Sequence, residues 1–113
     1  MFVPLARKEN HQRGIFLCKK LLKDDPTDKN ILLFYAFFLY HYAASIKFGA
    51  TKTTENQNEM LENFQQAIEI CKSLIECEGR LPKRVLINAR IYLAQIYAML
   101  EKGNLATQTA EET

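Results

Sequence analysis

Tryptophan is absent from the 113 residues, and glycine and proline number only four and three. So few helix breakers favour long, uninterrupted helices. No stretch alternates strictly between apolar and polar residues for long, so strands are not expected. Cysteine is limited to Cys18, Cys71 and Cys77, an odd number without C-x-x-C spacing. That argues against a disulfide framework or a zinc site and for small buried thiols. There is no glycine-rich phosphate loop, His11 and His41 lie far apart, and no cysteine has a histidine beside it. The pattern lacks a nucleophile–base pair and a metal-ligand spacing, so the chain reads as a non-enzyme with no metal and no cofactor.

Membrane-spanning length is lacking too. The most apolar stretch, ILLFYAFFLYHYAASI from Ile31 to Ile46, contains His41 and four hydroxylated side chains. As a helix it would reach about 24 Å, short of a hydrocarbon core of roughly 30 Å. The start MFVPLARKEN holds no signal-peptide core and no Ser-rich, acid-free transit segment, which leads us to expect an intracellular chain.

What is present is ordinary for a folded domain, with 48% hydrophobic and 25% charged residues. One core is expected at this length. Apolar residues recur three and four apart, predicting an all-α domain with helices at about 6–24, 28–47, 59–78 and 83–102. Asp24-Asp25-Pro26 stops the first helix, and Thr27 or Asp28 caps the second. The polar segment 49–58 reads as a loop or insert, Gly79 as the end of the third helix, and Pro82 as the start of the fourth. Gly103 closes the fourth, leaving 104–113 as a weak tail.

Within this frame a rhythm of small and large residues recurs. Gly14-x-x-x-Cys18 followed by Pro26, and Ala67-x-x-x-Cys71, share one spacing. Leu33-Phe34-x-x-Phe37 and Leu93-Ala94-x-x-Tyr97 share another, with Ala106 falling where a further small residue belongs. Small side chains on facing helices let two axes approach, so Gly14, Cys18, Ala67, Cys71, Ala94 and Tyr97 are expected packing positions. These motifs resemble tetratricopeptide repeats, whose period is about 34 residues, although Phe34 stands where glycine is usual. The resemblance implies a right-handed stack of antiparallel helical hairpins, and a closed four-helix bundle is the alternative for the same four helices. It also implies a protein–protein interaction or scaffold module, an adaptor or complex subunit without catalysis. The long second helix, preceded by DDPTDKN and followed by a polar insert, is similar in layout to plant-type mitochondrial import receptors. That likeness would imply capture of an amphipathic presequence.

Two surfaces are candidates for partners. At about 100° per residue, Leu33, Phe37, Tyr40 and Ala44 share one side of the second helix, and Ile31, Tyr35, Phe38, Tyr42 and Ile46 the other. The latter side, joined by Ile91, Gln95 and Met99 of the fourth helix, would form an apolar groove for a partner helix or peptide. Acidic C-terminal tails fit such a groove poorly, since it lacks paired cations. In a closed bundle the first and fourth helices would cover it, and Tyr35 and Phe38 would be buried. The second surface is basic. Residues 1–24 hold six basic and two acidic side chains, residues 80–90 four basic and none acidic, although the whole chain is only +2. Lys19, Lys20, Lys23, Arg80, Lys83 and Arg84 are therefore candidate anion or RNA contacts.

Overall fold

The computed structural model describes residues 4–49 and 53–100, with the backbone alone at 4–8 and 78. It is all-helical: α1 (Pro4–Asp24), α2 (Lys29–Lys47), α3 (Thr54–Glu76), a single 3-10 turn at Glu78–Arg80, and α4 (Lys83–Met99). Asp25 before Pro26 ends α1 as expected, and the Asp28 carboxylate then accepts from the Asn30 and Ile31 amides at 3.0 and 3.1 Å.

Two boundaries differ from expectation. Helix α3 begins at Thr54, five residues before the expected Glu59, because the Thr53 hydroxyl caps the Asn56 amide at 3.1 Å. Glu55 in that first turn suits the positive end of the helix dipole. The polar residues 54–58 thus belong to the helix, and the connection is cut to residues 48–53. The second difference is at Gly79. It lies inside the 3-10 turn, while Cys77 at φ −91° ends α3, so no left-handed residue closes that helix. Gly103, Ala106 and the tail 104–113, like positions 50–52 of the insert, lie outside the described residues.

Helix α2 is central and packs on α1, α3 and α4, while α3 also packs on α4. Short links make α1/α2, α2/α3 and α3/α4 antiparallel hairpins. The smallest residues sit where helices meet. Ala36, Ala43, Ala67 and Ala89 have no exposed surface, and a Cβ on Gly14 would come within 2.6 Å of the Phe38 ring. Around them Leu39, Phe64, Leu74 and Ile96 are enclosed. Cys18, Cys71 and Tyr97 are buried, whereas Ala94 is half-buried and Ala89 is the fully buried alanine of α4.

α2 and α4 run in the same direction. Asn30 and Phe34 near the start of α2 share a cleft with Arg84 and Asn88 near the start of α4. At the far ends the Lys47 ammonium donates to the Met99 carbonyl. The two helices begin at Lys29 and Lys83, 54 residues apart, well beyond the tetratricopeptide period of about 34. The excess follows from the 19 and 23 residues of α2 and α3.

Candidate functional site

The groove expected on the Tyr35 side of α2 does not exist, because α1 and α3 close over it. Tyr35 and Tyr42 are only 5% and 6% exposed. Their hydroxyls are tied down: Gln66 Nε2 donates to Tyr35 at 2.8 Å, Gln12 Nε2 donates to Tyr42 at 3.2 Å, and Tyr42 donates to the Glu59 carboxylate. Burial, with the Glu59 carboxylate beside it, pushes the Tyr42 phenol up to about 12. Phe38 is half-buried over Gly14, Ile46 is buried, and Ile31 and Met99 pack on the core. Of the residues assigned to that groove, Ile91 and Gln95 remain exposed, on α4.

An opening lies on the other side of α2, against α4. It is a cleft of about 510 Å³ to which α2 contributes Asn30, Leu33, Phe34 and Phe37. Helix α4 supplies Arg84, Val85, Asn88 and Tyr92. Phe34 is 58% exposed, less than Phe16 and Phe48 at 71% each, but it lies in a cleft among other apolar side chains. Parallel helices place this cleft between equivalent faces, so its two ends differ: the Asn30/Arg84 end is polar, the Phe37/Tyr92 end aromatic. An aromatic row continues from there. Tyr92 and Phe37 have centroids 5.9 Å apart, Phe37 and His41 4.3 Å, and His41 stacks on His11 of α1 at 5.5 Å. Burial, reinforced by the neighbouring His11, lowers the His41 pKa and so favours the neutral ring.

The basic side chains assigned to an anion surface are all exposed. Antiparallel α1 brings Lys19, Lys20 and Lys23 to the same end of the molecule as Lys83 and Arg84, since that end holds the finish of α1 and the starts of α2 and α4. Lys29 joins them, with Asp24, Asp25 and Asp28 between.

Burial pushes the Cys71 thiol up to about 12 and raises that of Cys18, which makes both poor nucleophiles. Among the described residues no three His, Cys, Asp or Glu side chains gather to hold a metal ion. No helix among them is long and apolar enough to cross a membrane. No protein-family model, curated protein or solved structure matches this chain.

Sequence reasoning missed Asn30, Phe34 and Asn88. Phe34 had a legible signal: it was the one large ring in a position where the repeat motif calls for glycine. Asn30 and Asn88 carried none, being single polar residues on helices with several.

Proposed function

We propose that the protein is a non-catalytic interaction module that seats a partner helix or peptide in the α2/α4 cleft. The observation that carries this reading is the exposed Phe34 ring in a cleft that Leu33, Phe37, Val85 and Tyr92 line together with Asn30, Arg84 and Asn88. A cleft of about 510 Å³ lies within the range of roughly 300–1,000 Å³ typical of ligand sites, and exposed aromatics are common binding anchors. A stack of helical hairpins like that of tetratricopeptide proteins would serve as the frame, with parallel α2 and α4 as equivalent helices of successive hairpins. Panning a random peptide library against the immobilised full chain tests the reading. Enriched peptides should lose binding to Phe34→Glu while its thermal unfolding stays within a few degrees of the parent. Equal enrichment on both proteins would refute it.

A second reading has one observation in its favour: the convergence of Lys19, Lys20, Lys23, Lys83 and Arg84 at one end, beside Arg80. On this reading the protein docks on RNA through its surface lysines and arginines, and affinity falls steeply between low and moderate salt.

A further inference from the structure

Resting on the groove reading above, we propose that the α2/α4 cleft takes an amphipathic segment carrying carboxylates at one end, bound in a single direction with its acidic end over Arg84.

The cleft's own chemistry selects this ligand. Its lining holds one charge, the Arg84 guanidinium, and no acidic side chain. Beside Arg84 the Asn30 and Asn88 amides offer N–H donors. A guanidinium flanked by two amides matches the planar acceptor pair of a carboxylate. The same end of the molecule gathers Lys20, Lys23, Lys29 and Lys83 together with Asp24, Asp25 and Asp28, so within the cleft itself the charge is set by Arg84. Toward the other end of the cleft the lining changes to Phe37 and Tyr92, with Leu33 between, which suits apolar anchors and offers a buried charge nothing to pair with.

Direction follows from the parallel arrangement. Were α2 and α4 antiparallel, each end of the cleft would mix the start of one helix with the finish of the other. Here both starts, with their basic residues, lie at one end. A basic amphipathic segment would meet like charge there, which costs affinity and slows encounter. Nucleic acid is disfavoured by Leu33, Val85 and Phe37 in the walls.

Fluorescence anisotropy with the full chain and end-capped peptides of about 14 residues, long enough for nearly four helical turns, tests this. All carry Leu and Phe anchors on one face, with Glu, Gln or Lys clustered at one end. The Glu peptide should bind at least about fivefold tighter than the Gln peptide, and the Lys peptide weakest. Arg84→Glu should invert that order. A spin label at the Glu end should broaden amide signals of Asn30 and Arg84, and one at the opposite end those of Gln95 and Met99. Equal binding of the three peptides, with Phe34→Glu abolishing all, would overturn the charge inference and leave the groove standing. No binding at all, or binding insensitive to Phe34→Glu, would overturn both. Broadening in the reverse direction sinks the proposed orientation, and a uridine oligonucleotide that outcompetes the Glu peptide sinks the choice of a protein ligand.

Discussion

At the scale of single residues, contact distances decide outcomes that composition leaves open. Gly14 sits mid-helix, where alanine would normally gain about 1 kcal/mol from helix propensity. The Phe38 ring stands 2.6 Å from the position of the new methyl, and overpacking of that kind costs roughly 1–3 kcal/mol. The clash outweighs the propensity, so Gly14→Ala should lower the melting temperature. Gly79→Ala meets nothing within 4 Å and should leave it unchanged or slightly raised. His41 makes stability depend on pH. Its folded pKa lies below the ordinary 6.5, so on acidification the unfolded chain takes up the proton first. Its contribution is complete above about pH 6.5 and is lost as pH falls below that value toward the folded pKa. Chemical denaturation across pH 5 to 8 should show stability falling on the acid side for the parent and a flatter profile for His41→Phe. Gly14 and Cys18 were legible as packing residues because small side chains recur four apart. The pairing of His11 with His41 was not, since 30 residues separate them and only the hairpin's register brings them together.

Among elements, capping explains both the successes and the misses. The end of α1 was readable because a residue before proline avoids helical backbone, and Asp28 follows at cap spacing. The start of α3 was misread because TENQNE contains no apolar residue, and periodicity is silent where one turn is wholly solvated. A single Thr53 hydroxyl and an acidic first turn suffice to begin the helix there. Replacing either cap tests these assignments. Asp28→Ala should cost about 1 kcal/mol of unfolding free energy, and Thr53→Ala a similar or smaller amount. Urea titration of each variant gives the measurement.

For the molecule as a whole, the side of α2 that faces outward was the main point the sequence misplaced. Both sides are apolar, so the pattern alone gives no sign. Tertiary packing decides: α1 and α3 bury the tyrosines, which reach Gln12, Glu59 and Gln66, and leave Phe34 to the cleft. Two aromatic substitutions on the same helix should therefore part company. Phe38→Glu places a charge against α1 and should unfold the protein or displace α1, whereas Phe34→Glu should keep the parent's circular dichroism and melting curve. The all-α class followed from periodicity. The 54-residue offset between α2 and α4 did not follow from a 34-residue motif. Burial also sorts the three thiols by position: Cys18 reports on α1, Cys71 on the innermost packing, and Cys77 stands half-buried where α3 gives way to the 3-10 turn. With an alkylating reagent the chain becomes its own stopwatch. Cys77 should be tagged within the native fold, Cys18 when the first helix lifts away, and Cys71 only when the whole structure opens.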